Sequence, residues 1–178
     1  NYTTHYLRSN AVSAANNFLN GVQSLTNKFP ESNRIALQEA KAVFNNTNAA
    51  LKNGDWVRVD DMLERLDTLR SQFNDHPEIA LPEARAAYNV INAALKNGDW
   101  VRIDDMLARL DALRNRFSDH PEIALREAMA AVNVINTAGE KGDWVRVDDM
   151  LARLDALRNQ FSDHPEIALR EAMAAVNV

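Results

Sequence analysis

Residues 54–97 read GDWVRVDDMLERLDTLRSQFNDHPEIALPEARAAYNVINAALKN, and this pattern returns twice further along the 178-residue chain. The tryptophans stand 44 positions apart, at Trp56, Trp100 and Trp144. A fixed period of this length is typical of tandem structural repeats. Three units, each beginning at the aspartate after a glycine, cover 55–98, 99–142 and 143–178. The last two agree at 34 of their 36 shared positions.

A fourth, degenerate copy precedes these units at 11–54. The positions that it shares with 55–98 include Leu19, Leu25, Phe29, Glu39, Asn45 and the run 48–54. Terminal units of repeat arrays are atypical because one side has no neighbour, so residues 1–54 are predicted to form an N-terminal cap. They carry five basic and two acidic side chains, a net charge of +3, whereas 55–178 carry 15 and 23, a net charge of -8.

Each unit is predicted to contain two helices. Apolar residues from Trp56 to Phe73 recur at steps of three and four, which predicts a first helix, helix A, over 55–73. Gly54 is expected to end the preceding helix in the left-handed conformation, and Asp55 to cap the next. On the charged side of helix A, Asp61 and Arg65 are expected to pair at i, i+4.

The second helix, helix B, is predicted to begin near Pro77 and to run to about Lys96. A capping-box-like pair, Asp75 and Glu78, marks its start, where proline is tolerated. Helix B is rich in alanine and apolar almost all round, as expected of a buried helix. Its polar side, here called the helix B stripe, consists of Pro82, Arg85, Asn89, Asn92 and Lys96.

Two helices joined by a short loop and repeated in tandem predict an all-α fold, in which 44-residue αα-hairpins stack as a superhelical solenoid. The period and the Gly54-Asp55-Trp56 turn resemble those of the α-solenoid class that includes tetratricopeptide, HEAT and armadillo proteins. The resemblance covers 11–178. It implies a non-enzymatic binding scaffold.

Asparagines recur at two positions of helix B although asparagine is a mediocre helix former. This asparagine ladder consists of Asn45, Asn48, Asn89, Asn92, Asn133, Asn136 and Asn177. In armadillo proteins a similar ladder binds the backbone of an extended peptide, and the resemblance implies the same use here. Alternatively, each asparagine bonds to the neighbouring helix and sets the register between units.

The leading hypothesis is therefore a scaffold that binds an extended protein segment along the helix B stripe. Arg85 becomes Met129 in the next unit, a difference that fits tuning of such a surface. The alternative hypothesis is a structural spacer, or stalk, of a larger repeat protein, with no specific ligand face.

Other functions are disfavoured. The pI near 5.4 argues against nucleic-acid binding, and no apolar run is long enough to cross a membrane. The histidines His76, His120 and His164 would be spread along the array, whereas the ligands of one metal ion must converge. No recurrent pair of nucleophile and base is present. We expect no enzyme activity, no metal and no cofactor.

The last unit stops after 36 of 44 positions, which indicates a fragment of a longer array. Its helix B keeps about half its length and is expected to leave apolar surface uncovered. Exposed patches of this kind promote association. We therefore expect homo-association through the truncated C-terminal repeat.

Overall fold

A computed structural model describes residues 2–73 and 76–176, with side chains described for 13–73 and 76–175. These residues form helices and no strands, which confirms the predicted all-α class. The eight helices of the described ranges are α1 (Tyr2–Lys28), α2 (Asn33–Asn53), α3 (Trp56–Gln72), α4 (Pro77–Asn97), α5 (Trp100–Arg116), α6 (Pro121–Glu140), α7 (Trp144–Gln160) and α8 (Pro165–Val176). None of them is both long and apolar enough to cross a membrane.

The glycine–aspartate turn separates α2 from α3 as predicted. Gly54 has φ 69°, in the left-handed region where a residue with a Cβ is strained, and its backbone N–H donates to the end of α2. The side chain of Asp55 accepts a hydrogen bond from the Arg58 backbone N–H at 3.2 Å, which caps α3. The same geometry recurs at Gly98 and Gly142.

The predicted capping of helix B can be compared with the structure at the start of α6. Asp75, the expected cap of helix B, lies outside the described residues. At the equivalent place in the next unit, Asp119 is not the cap: the N-cap of α6 is His120, which makes no side-chain capping bond. Its carbonyl accepts from the Ile123 N–H at 3.1 Å, and its ring meets Phe117 edge-on, with centroids 6.2 Å apart. His120 therefore shapes the turn into α6.

The helices at the helix A and helix B positions both contribute buried side chains, and those at the helix B position supply most of the buried alanines. In α6, the side chains of Ala124, Ala128, Ala131, Val134 and Ala138 are fully buried. Small side chains allow neighbouring helix backbones to approach closely. The expectation of a mostly buried, alanine-rich helix is confirmed.

The chain divides into two compact units, residues 1–86 and 87–178, and the division falls within α4. Within residues 1–86, α2 packs against both α1 and α3. Within residues 87–178, α6 packs against α5, α7 and α8, and α7 packs against α8. Helices that follow one another along the chain are therefore packing neighbours within each unit.

Candidate functional site

The asparagine ladder and its neighbours lie at the surface to different degrees. Asn45 and Arg85 are exposed. The partly exposed members are Asn48, Asn89, Asn92, Asn133, Asn136 and Met129. Asn177 lies outside the described residues. Pro82, predicted to belong to the polar stripe, is instead buried, because the apolar ring fits the packed side of α4.

The structure brings two members of the ladder into direct contact. Within residues 87–178, Nδ2 of Asn133 in α6 donates to Oδ1 of Asn92 in α4 at 2.7 Å. The same nitrogen donates to the hydroxyl of Tyr88 at 3.3 Å. An amide nitrogen has two N–H donors, so both are used. The side-chain oxygen of Asn133 accepts no hydrogen bond from the residues that the structure describes.

A second recurrent polar feature lies inside the protein. Glu39, Glu83 and Glu127 stand 44 residues apart on α2, α4 and α6, and all are at most 1% exposed. A buried carboxylate needs charged or hydrogen-bonding partners. Arginines supply them. We call these contacts the arginine–glutamate pairs: Arg65–Glu39, Arg70–Glu83, Arg114–Glu127 and Arg153–Glu127.

Glu127 shows the arrangement with two arginines. Nε of Arg114 donates to Oε2 at 2.8 Å, and Nη1 of Arg153 donates to Oε1 at 2.7 Å. Arg153 also donates to the Leu107 carbonyl at 3.3 Å, and Arg114 also pairs with Asp111. Burial nevertheless raises the pKa of the Glu127 carboxyl, because the loss of water outweighs both guanidinium groups.

Glu39, in the degenerate copy, has only part of this arrangement. Arg65 contacts its Oε1 at 2.6 Å, but its buried Oε2 accepts no hydrogen bond from the described residues. The position 44 residues before Arg70 is occupied by Thr26, whose hydroxyl donates to the Val22 carbonyl at 3.2 Å. The second arginine is therefore replaced by a residue that cannot reach the carboxylate.

The predicted ion pair on the charged side of helix A needs correction. Arg65 pairs with Glu39 and not with Asp61, because the buried carboxylate attracts it more strongly than a hydrated one. On the same side of α5, Asp104, which is the counterpart of Asp60, forms an ion pair with Arg146 of α7. That carboxylate therefore joins two helices and is not simply a hydrated surface group.

The tryptophans differ in what covers them. The ring of Trp100 lies under two cations: the centroid is 5.0 Å from Nζ of Lys141 and 4.5 Å from the Arg146 guanidinium carbon. Cations in this position are attracted to the ring face. Trp144, at the equivalent place in α7, is 55% exposed. Trp100 therefore contacts the following repeat through the guanidinium of Arg146.

No group of three or more histidine, aspartate or glutamate side chains that could hold a metal ion occurs in the described ranges. Sequence reasoning missed the arginine–glutamate pairs. A signal was available, since glutamate recurs at positions 39, 83, 127 and 171, including in the degenerate copy, which has only one other acid. A charged residue on an otherwise apolar helix face indicates a buried partner.

These features define an all-helical protein in which successive helices pack together, as in helical-repeat-like folds. No protein-family model, curated protein or solved structure matches the chain.

Proposed function

We propose that this protein is a non-enzymatic interaction scaffold. Its 44-residue hairpins stack as a superhelical solenoid and bind an extended segment of another protein along the helix B stripe. The 44-residue recurrence of the glycine–aspartate turns and of the buried glutamates supports the stacked arrangement. Repeated surfaces of this kind suit long, extended ligands.

The observation that carries the proposal is the state of the Asn133 amide. Its two N–H groups are held by Asn92 and Tyr88, which fixes the side chain, while its oxygen remains as an acceptor on a partly exposed surface. An acceptor held in place matches the backbone N–H of an extended peptide. At roughly 8–10 Å between packed helices and about 3.3 Å per extended residue, each unit spans two or three ligand residues.

Specificity would come from the positions beside the ladder. Arg85 is exposed, and its counterpart Met129 is partly exposed and contacts Arg126, whose Nη1 lies 3.6 Å from the sulfur. A cation in one unit and a thioether in the next favour different ligand side chains. A ligand segment bound to the helix B stripe would therefore carry an acidic residue next to Arg85 and an apolar residue next to Met129.

Panning a library of random linear peptides against the full chain tests the scaffold. Selected peptides should lose at least about tenfold in affinity to the Asn45→Ala variant, because a peptide N–H that loses its acceptor costs on the order of 1–3 kcal/mol. Asn45 is exposed, so the variant should keep the wild-type stability. Asn53→Ala is the matched control, since Asn53 is also exposed and lies on the same helix away from the ladder. Equal binding to both variants would contradict the proposal.

A structural spacer is the second candidate, and one observation favours it. The Asn133–Asn92 bond is a contact between two helices of the protein, as expected if the ladder sets register. On this alternative, Asn133→Ala should lower the free energy of unfolding by about 1 kcal/mol or more, and panning should select no peptide whose binding depends on the ladder.

A further inference from the structure

An unpartnered apolar stripe runs along α1. It consists of Ala14, Phe18, Gly21 and Leu25, and all four are exposed. Steps of four, three and four residues place them on one helix face. Phe18 is 58% exposed and Leu25 is 46% exposed. We call these four residues the cap stripe.

The equivalent positions on later helices face the preceding hairpin. In α3 they include Arg58 and Arg65, which donate to Asn46 at 3.0 Å and to Glu39 at 2.6 Å. In α7 they are Arg146, Met150, Arg153 and Leu157. Both arginines contact residues of α5 or α6, and Met150 and Leu157 are buried, at 7% and 1% exposure. The cap stripe thus occupies a packing face.

A complementary uncovered surface lies on the last two helices. Trp144 is 55%, Leu169 is 58% and Met173 is 41% exposed. We call these three residues the α7–α8 face. Their counterparts in the previous hairpin are better covered: Trp100 lies under Lys141 and Arg146, and positions 125 and 129 are only partly exposed.

We propose that a second copy of this chain packs its cap stripe on the α7–α8 face, in the position that α7 takes on the α5–α6 hairpin. The net charges of the two chain segments favour a second copy as the partner of the α7–α8 face. Residues 1–54 carry five basic and two acidic side chains, a net charge of +3, whereas 143–178 carry four and seven, a net charge of -3. The two segments that carry these surfaces thus have opposite net charges, which favours their encounter.

Two members of the cap stripe are small, and in the proposed contact they would lie next to carboxylates of the α7–α8 hairpin. Ala14 and Gly21 stand at the positions of Arg146 and Arg153, whose partners are Asp104 and Glu127. On the α7–α8 face, the counterparts of these carboxylates are Asp148, which is exposed, and Glu171, whose side chain is 23% exposed and pairs with Arg158 at 3.1 Å. Ala14 and Gly21 bring no charge to these carboxylates, and Glu171 keeps Arg158 as its charged partner.

The contact is heterologous, because one copy uses the cap stripe and the other uses the α7–α8 face. A heterologous contact leaves one unused surface of each kind on every pair of copies, so association continues head to tail. The average mass should therefore rise with concentration. The association should also weaken as salt screens the opposite charges.

Two double variants of the full chain test this arrangement. Phe18→Glu with Leu25→Glu blocks the cap stripe, and Leu169→Glu with Met173→Glu blocks the α7–α8 face. Sedimentation velocity should show association of the wild-type chain and monomers for each variant alone, with the dissociation constant raised at least about tenfold. An equimolar mixture of the two variants should form a one-to-one dimer and nothing larger, since only one functional contact remains between them.

Val101→Glu is the matched control, because Val101 is 75% exposed and belongs to neither surface. It should associate like the wild-type chain, and circular dichroism should show helical content unchanged in every variant. The proposal is overturned if the wild-type chain is monomeric at high concentration, if either double variant still associates alone, or if the mixture forms no dimer.

Discussion

Arg153 crosses from α7 to the preceding hairpin, where its Nη1 donates to Oε1 of Glu127 at 2.7 Å. Arg114 of α5 reaches the other carboxylate oxygen. One buried side chain of α6 therefore links three helices. Removal of one partner from a buried ion pair leaves an uncompensated charge, which costs far more than the pair contributes when intact.

Replacement of the central carboxylate should therefore destabilise the protein. Glu127→Ala is expected to lower the free energy of unfolding at pH 7 by about 3–5 kcal/mol, because Arg114 and Arg153 lose their common partner. Urea unfolding followed by circular dichroism measures the change. Glu140→Ala, at the exposed end of the same helix, should change the unfolding free energy by less than about 0.5 kcal/mol. Similar losses in both variants would contradict the inferred role.

The pH dependence of stability should reveal the same carboxyl. Burial raises the pKa of the Glu127 carboxyl above its ordinary value of 4.5, so the folded state holds this proton more tightly than the unfolded state. Unfolding then releases a proton, and stability falls as pH rises from about 4.5 through the folded pKa.

Glu127→Gln removes this titration. The unfolding free energy of the wild-type chain should therefore decrease relative to that of the variant as pH rises above about 4.5, and the difference should be constant at lower pH. Urea titrations at a series of pH values measure it. A difference that instead grows in favour of the wild-type chain would show that the arginines dominate over burial.

A second arginine partner for Glu39 in the degenerate copy, residues 11–54, should raise the free energy of unfolding. Thr26→Arg places a guanidinium at the position equivalent to Arg70, which donates to Glu83 at 2.9 Å, and pairing of this group with Oε2 of Glu39 should raise the unfolding free energy by about 1 kcal/mol or more. The gain should vanish in the Glu39→Gln background, as a double-mutant cycle would show. Asn27→Arg, the same charge at the next, exposed residue, should give no gain. An equal effect of both arginines would mean that net charge alone is responsible.

Two neighbouring glycines should respond in opposite directions to alanine. Gly139 is helical with open space around its Cα, so Gly139→Ala should stabilise the protein by up to about 1 kcal/mol. Gly142 has φ 73°, so Gly142→Ala should destabilise it by about 1–2 kcal/mol. Thermal unfolding of the two variants side by side checks both signs. A stabilising Gly142→Ala would exclude the left-handed turn.

Local signals were sufficient to predict the helices. Gly54 and Asp55 give one helix boundary and Pro77 gives another, because their effects depend on backbone conformation within a few residues. Helix A was predicted over 55–73, and α3 spans Trp56–Gln72 with Asp55 and Phe73 as its caps.

Side-chain partners were harder to predict. Arg65 has carboxylates at helical spacing and one that is 26 positions away, and only the packed structure shows that it contacts Glu39. Likewise the sequence places Asn92 and Asn133 at related positions of two helices, but the 2.7 Å bond between them depends on how those helices pack. Contacts of high sequence separation are set by packing, which one sequence pattern does not specify.

The link between Glu127 and two arginines on flanking helices also constrains how the gene can change length. An insertion or deletion of one whole 44-residue unit would preserve the spacing between a buried glutamate such as Glu127 and the arginines that it contacts, whereas a partial one would leave a carboxylate without its partners. Changes of length are therefore expected to occur in whole units of 44 residues, and the last two units, which match at 34 of their 36 shared positions, are alike enough to replace each other.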